Sequence, residues 1–313
     1  MNPPFSFDVR TDQLATAAAA LHRDGIILLT DLLSAAQLQS AQHAFRSRLD
    51  RMAWNDLDGY ERTELFRLMI EDILLLDQSF VDLVLHPAVL QLVQDYVGAD
   101  AQLCEAKGWR SVATNREFHG WHGDSWYDDK RTTERIPREL KLALYLTDVE
   151  TGGFNYLPGT QRQQVPRTIN HNHYAHLREG EFVNVRGPAG TAFLFDTSAV
   201  HRQGVPILKD REAVFCCYHN PAEPIQDMDV AYYRYHPLLL NAAFLGNLTP
   251  EHMRVLGFGD RRSFLPGHRR PDRYPRFSRA MQWLWRGALE AGLASEWLGA
   301  KRAGLLRRIT GRG

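Results

Sequence analysis

Glu117-Phe-His-Gly-Trp-His-Gly-Asp-Ser-Trp126 is the segment around which the rest of the chain is organised. On a β-strand, residues i and i+2 point to the same face. His122 and Asp124 at that spacing aim one imidazole nitrogen and one carboxylate oxygen at a single point, where a cation can sit. A mixed N/O pair with room for a second histidine begins a facial two-histidine, one-carboxylate site, which suits non-haem Fe(II) and leaves positions for substrate chemistry. His-x-Asp alone recurs by chance, so its meaning depends on what the remaining sequence supplies. His119 is out of phase with the pair on a strand and is not assigned to the metal, and Asp128 and Asp129 read as solvent-facing.

The chain has 313 residues, 44% hydrophobic and 24% charged, which is the composition of a folded protein with a large core. Its formal net charge is zero, so the chain as a whole carries no nucleic-acid footprint. The distribution is uneven. Residues 261–313 hold 13 Arg or Lys against 3 Asp or Glu, a balance of +10 that residues 1–260 offset with −10. Such a tail has an anionic neighbour or is a solvated face answering an acidic body. Cys104, Cys216 and Cys217 lack Cys-x-x-Cys spacing and imply no disulfide framework; the adjacent pair lies in an apolar run and reads as core packing. Neither a charged n-region with an apolar h-region nor an 18-residue apolar span is found, so a cytoplasmic, reducing setting is expected.

Residues 11–22 are Ala-rich with a polar start and predict a helix that Arg23-Asp24-Gly25 ends. Ile26-Ile-Leu-Leu-Thr30 predicts a strand, and Ser34 caps a second helix running from Ala35 to about Arg51. Residues 61–98 read as mostly helical, with Pro87 near a helix start and Gly98 after its end. After Ala101 short β-rich runs take over: 141–147, 154–157, 181–185, 191–195 and 213–218. Regularly spaced strands with turn signals predict a sandwich or jelly roll. Between them, 161–179 is polar, long enough for a lid, and carries His171, His173 and His176, which read as loop residues before they read as a second metal site. Residues 222–275 are irregular. Over 278–299, Met281, Leu284, Trp285, Ala288, Leu289 and Trp297 fall near one helical face, which packs on protein or lies on a membrane surface.

A jelly roll returns a distant strand to His122 and Asp124, and His201 is the third ligand it can deliver, after the apolar run 191–195 and before Gly204. Arg211 then opens the next strand on one face with Ala213 and Phe215. An arginine aimed into an apolar barrel requires an anion, because an unpaired buried charge is very costly. The planar guanidinium fork matches a carboxylate. A dicarboxylate that chelates iron at one end and meets Arg211 at the other satisfies both conditions.

These features resemble the phytanoyl-CoA dioxygenase (PhyH)-like family of Fe(II)/2-oxoglutarate-dependent oxygenases over about residues 15–220. Leu21-His-Arg-Asp-Gly-Ile-Ile-Leu-Leu29, Trp121-His-Gly-Asp124, Leu144-Tyr-Leu-Thr-Asp148 through Gly152-Gly-Phe-Asn-Tyr-Leu-Pro-Gly-Thr160, and Val200-His-Arg with Arg211 carry the resemblance in order. Gly123 stands where the family commonly has glutamine, and Thr160-Gln161 where it has Ser-His. The resemblance implies an α+β fold: a double-stranded β-helix (jelly roll, cupin-like) with a helical N-terminal layer outside it. It implies Fe(II) on His122, Asp124 and His201, 2-oxoglutarate on Arg211, O2 as oxidant, and hydroxylation of an unactivated C–H with release of succinate and CO2. Halogenating relatives have Ala or Gly in place of the aspartate, so Asp124 favours hydroxylation. Tyr145, on the face of Ala143, is a further candidate for contact with 2-oxoglutarate, against the plainer reading of a core tyrosine with a satisfied hydroxyl.

The expected organisation is one oxygenase domain over 1–260, with a helical layer at 11–100, a jelly-roll core at 101–220 and an irregular segment at 221–260, followed by a basic helical extension at 261–313. The expected substrate is a small molecule, with anionic and lipid-linked compounds left open and peripheral contact at the inner face of a membrane through 278–313 as one role for the extension. Two rival classes stand beside this reading. A non-catalytic jelly-roll binding module would ordinarily lack a ligand or the arginine. A cupin-like metalloenzyme not using 2-oxoglutarate would have no use for Arg211.

Overall fold

Gly25 shows how the local sequence sets the frame. It ends helix α1 (Leu14–Asp24) at φ +76°, a left-handed conformation that glycine adopts without strain, and its N–H donates to Leu21 O at 2.7 Å. A side chain there would also run into the Tyr156 hydroxyl, which donates to Gly25 O at 2.8 Å. Strand β2 (Ile26–Thr30) follows at once and lies parallel to β1 (Phe5–Asp8). Helix α2 (Ala35–Leu49) begins with a capping box in which Ser34 and Gln37 satisfy each other's backbone N–H groups. Asp77 caps α3 (Gln78–Val84), and Pro87 opens α4 (Pro87–Val97), where its missing N–H costs nothing.

The computed structural model describes residues 4–50, 67–70, 73–117, 120–124, 139–162, 174, 176–221, 238, 240–246 and 248–258, with the single positions 284, 291 and 298. His119, Asp128, Asp129, His171, His173, all of 222–237 and most of 259–313 lie outside the described residues. The chain divides into two units, Met1–Gly267 and His268–Gly313. In the second, Leu284, Ala291 and Leu298 are helical and exposed, and the rest of the helix expected over 278–299 lies outside the described residues. Among the described residues no helix is long and apolar enough to cross a membrane.

The remaining strands are β3 (Arg67–Ile70), β4 (Gln102–Ser111), β5 (Glu139–Tyr145), β6 (Val149–Tyr156), β7 (Val183–Gly187), β8 (Ala192–Asp196), β9 (His201–Gln203) and β10 (Arg211–His219). Seven form one sheet in the order β1-β2-β8-β5-β10-β4-β3, and three form another in the order β7-β6-β9. Alternation assigns the faces. Ala143, Tyr145, Phe193, Ala213 and Phe215 of the large sheet pack with Phe154, Tyr156 and Val185 of the small one. On the other face, Leu142, Leu144, Val214 and Cys216 share a core with Leu21, Phe45, Phe80 and Val93 of α1 to α4. All three cysteines are buried and free, as their apolar setting predicts.

One expectation is corrected. Residues 61–98, expected to be mostly helical, are helical over Gln78–Val84 and Pro87–Val97, but Arg67–Ile70 is a strand, paired antiparallel with β4 from Arg67↔Ser111 to Ile70↔Gly108. Leu68-Met69-Ile70 suits helix and strand equally by pattern, and the open edge of β4 decides, because its N–H and C=O groups need partners.

His219, at the inner end of β10, has its imidazole pushed down to about 4, chiefly by burial, with Glu139 opposing. The unfolded chain therefore binds a proton that the native state refuses. Stability rises with pH between about 4 and 6.5 and is lost as pH falls through that window, by up to ~3 kcal/mol from this group. Urea denaturation at pH 7 and pH 4.5 should show this slope, reduced in His219→Gln; an identical slope in that variant would assign the acid sensitivity elsewhere.

Candidate metal centre

Backbone pairing brings the ligands together before any ion does. His122 N donates to His201 O at 2.9 Å and His201 N returns the bond to His122 O at 2.7 Å. Asp124 N donates to Thr197 O at 2.8 Å. The two segments thus run antiparallel through an isolated bridge, and His122-Gly-Asp124 is not part of a regular strand. Gly120 and Gly123 flank His122 and weaken strand propensity, so pairing holds only where His201 reaches it. His201 itself opens β9 after the turn 197–200 and is 4% exposed.

Each imidazole is turned the same way. His122 Nδ1 lies 2.8 Å from Gly120 O and His201 Nδ1 2.8 Å from Ala199 O. A carbonyl only accepts, so each Nδ1 carries the hydrogen and each Nε2 is left with a lone pair for a metal. Those Nε2 atoms are 3.4 Å and 3.5 Å from Asp124 Oδ1, and the three ligand atoms fall within 4.8 Å of one another. Ligands ~2.1 Å from one ion and at right angles sit ~3 Å apart, so the donor set fits a divalent iron. Burial pulls the His201 imidazole down, against the opposing pull of Asp124, which favours the neutral ring that a metal requires.

Asp124 divides its oxygens. Oδ1 faces the histidines, and Oδ2 accepts from Lys141 Nζ at 2.6 Å. Burial works to raise this carboxyl, but Lys141, then His201 and His122, outweigh it and hold it well below the usual carboxylate range. Lys141 stands on β5 in phase with Ala143 and Tyr145, so its inward direction follows from alternation. We expect Lys141→Met to weaken Mn(II) binding by ~10-fold, measured by calorimetry, because outer contacts of this kind orient the ligand. Unchanged affinity would show that the ion pair does not hold the carboxylate in place.

Arg211, 3% exposed, opens β10 and donates from Nη1 to Gly152 O. Its Nε is buried with no hydrogen-bond partner among the described residues, and burial lowers its pKa. Its guanidinium carbon lies 5.9 Å from the centre of the Tyr145 ring. The Tyr145 hydroxyl is engaged elsewhere: it donates to Val185 O at 3.0 Å and accepts from Phe154 N at 3.0 Å. Tyr145 therefore backs Arg211 with its ring, and its hydroxyl has two main-chain partners.

His122, Asp124, His201 and Arg211 line one cavity of about 210 Å³, together with Lys141, Arg67, Trp109 and Gln203. The last four are absent from the sequence-derived site. Lys141 is within reach, as a charge on an inward strand position. Arg67 is not, because the pattern of 67–70 suits a helix as well as the strand that it forms.

A family model described as phytanoyl-CoA dioxygenase (PhyH) matches residues 21–204, more than half of the chain and inclusive of His122, Asp124 and His201. The chain belongs to this family of Fe(II)/2-oxoglutarate-dependent oxygenases. Among solved structures it is similar to EctD from S. alaskensis with 2-oxoglutarate and 5-hydroxyectoine, at 22% identity and TM-score 0.53 over 68% of this chain and 78% of that one. It is also similar to the epimerase SnoN in complex with Fe3+, alpha ketoglutarate and nogalamycin RO, at 18% identity and TM-score 0.51 over 72% of this chain and 90% of that one. At such identities these two likenesses speak to the fold that this PhyH member shares with them. No curated protein sequence matches the chain.

Proposed function

We propose that this PhyH-family protein is an Fe(II)- and 2-oxoglutarate-dependent dioxygenase that hydroxylates an unactivated C–H of a small molecule and releases succinate and CO2. The carrying observation is one cavity that holds both a two-histidine, one-carboxylate donor set and a buried guanidinium whose Nε has no hydrogen-bond partner among the described residues. His122, Asp124 and His201 would hold the iron, and Arg211 would receive the far carboxylate of 2-oxoglutarate. When bound, iron and 2-oxoglutarate together supply the oxidising power that no side chain has. The chain's own residues contribute geometry. The Nδ1 hydrogen bonds lock the imidazoles, Lys141 confines Asp124 to one facing oxygen, and Phe154, Phe195 and Phe215 keep the cavity wall dry.

Asp124 argues for oxygen insertion as the outcome, since the position that halogenating relatives empty is filled here. The test is turnover with a metabolite extract: succinate should form in step with a product heavier than its substrate by one oxygen atom. Succinate formation without any such product from any extract fraction would contradict hydroxylation.

The double-stranded β-helix is the reading of the two facing sheets that we adopt, with 1–260 as the catalytic domain. We also propose that the basic segment 261–313 meets an anionic surface. Leu284 and Leu298, seven residues either side of Ala291, are 68% and 59% exposed in helical backbone. Deleting 278–313 should abolish sedimentation with anionic vesicles and leave 2-oxoglutarate binding intact; sedimentation by the truncated protein would contradict this role.

A further inference from the structure

One wall of the cavity presents donors with nothing among the described residues to receive them. Trp109 Nε1, Gln203 Nε2 and Arg211 Nε are each buried without a hydrogen-bond partner, and all three residues line the same space. Buried N–H groups are nearly always paired in native proteins, so a run of orphans around one cavity points to a ligand that accepts. The far carboxylate of 2-oxoglutarate accounts for Arg211. It leaves the other two.

Trp109 and Gln203 are held by Arg67. Arg67 Nη2 donates to Gln203 Oε1 at 3.2 Å, and Ser111 Oγ donates to the same oxygen at 3.3 Å. Arginine has no acceptor, so the Gln203 amide is fixed with its oxygen toward Arg67 and its NH2 elsewhere. The Arg67 guanidinium carbon lies 4.7 Å from the Trp109 ring centre, and Trp109 stacks on Phe215 with centroids 4.2 Å apart and planes at 10°. The indole N–H is therefore fixed in direction too. Arg67, Ser111 and Arg211 occupy one row across β3, β4 and β10, which sets two guanidinium groups toward one cavity. Burial, then repulsion from Arg211, pushes Arg67 down to about 10, which still leaves it charged at neutral pH.

The kind of acceptor follows from the donors. Trp109 Nε1 and Gln203 Nε2 can only donate, and the Gln203 oxygen beside them is already taken by Arg67 and Ser111. A carboxylate is acceptor-only and planar, and it matches a guanidinium with flanking N–H groups. We propose that Arg67, Trp109 and Gln203 form a carboxylate-accepting subsite for the primary substrate, distinct from Arg211, and that the substrate is a small carboxylic acid. The inference rests on the oxygenase reading above. Arg67 lines the same cavity as His122, Asp124 and His201, so an acid group held there shares one space with the metal ligands.

The test uses the full chain loaded with Zn(II) and 2-oxoglutarate, with butyrate and its uncharged isostere butyramide as probes in ligand-observed NMR. Butyrate should bind at least ~10-fold more tightly than butyramide and should not displace 2-oxoglutarate. Trp109→Phe keeps the ring stack and removes only the N–H; it should weaken butyrate at least ~3-fold, and Arg67→Met at least ~10-fold, with 2-oxoglutarate affinity within ~2-fold of wild type in both. Equal binding of the two probes, or competition between butyrate and 2-oxoglutarate, would overturn the proposal. So would a ~10-fold loss of 2-oxoglutarate affinity in either variant, which would assign these donors to the co-substrate. Failure of the wild type to bind 2-oxoglutarate is a different result, and it would strike the oxygenase reading itself.

Discussion

Arg211→Met should lose 2-oxoglutarate binding and keep its metal. Truncating one partner of a buried, hydrogen-bonded charge pair costs ~2–5 kcal/mol, which is a loss of ~30-fold to ~5000-fold in affinity. The same substitution should leave the unliganded protein as stable as wild type or raise its Tm. Arg211 sits on the inner face with Ala213 and Phe215, its Nε has no partner among the described residues, and a methionine of similar length removes a desolvated charge from that setting. The two effects have opposite signs, which separates a ligand-binding arginine from a structural one. A variant that unfolds, or that binds 2-oxoglutarate as wild type does, would show that Arg211 serves the fold. Thermal melts with and without 2-oxoglutarate measure both quantities at once.

Asp124→Ala should abolish succinate formation and reduce Fe(II) affinity by more than the ~10–100-fold typical of outer-shell contacts, because it removes a ligand outright. It also takes away the carboxylate that Lys141 Nζ meets at 2.6 Å and both Nε2 atoms face. Asp124→Asn is the stricter comparison, since it keeps volume and loses charge. Retained turnover in either variant would remove Asp124 from the metal site and with it the argument for hydroxylation.

How much of this could be read beforehand depends on the kind of signal. Alternation on 211–219 and 139–145 is strict, and the faces expected for Ala213, Phe215 and Ala143 are those observed. Helix ends marked by glycine, serine or proline were equally plain, at Gly25, Ser34 and Pro87. The pairing of His122 with His201 was reachable through their roles, although the backbone that joins them is a single bridge between two turns, which no periodicity announces. Arg67 escaped because a four-residue strand at a sheet edge is specified by its neighbour β4 more than by its own composition. Gln203 and Trp109 escaped for another reason. Their significance lies in donors left over after every local partner is counted, and that count needs three dimensions.

The central claim is that one cavity joins a metal to a dicarboxylate, and anaerobic titration of the purified protein with Fe(II) and 2-oxoglutarate tests it most directly. A visible metal-to-ligand charge-transfer band should grow only when both are present, saturate at one equivalent of 2-oxoglutarate, and be missing from Asp124→Ala. Iron bound with no such band at saturating 2-oxoglutarate would contradict the account.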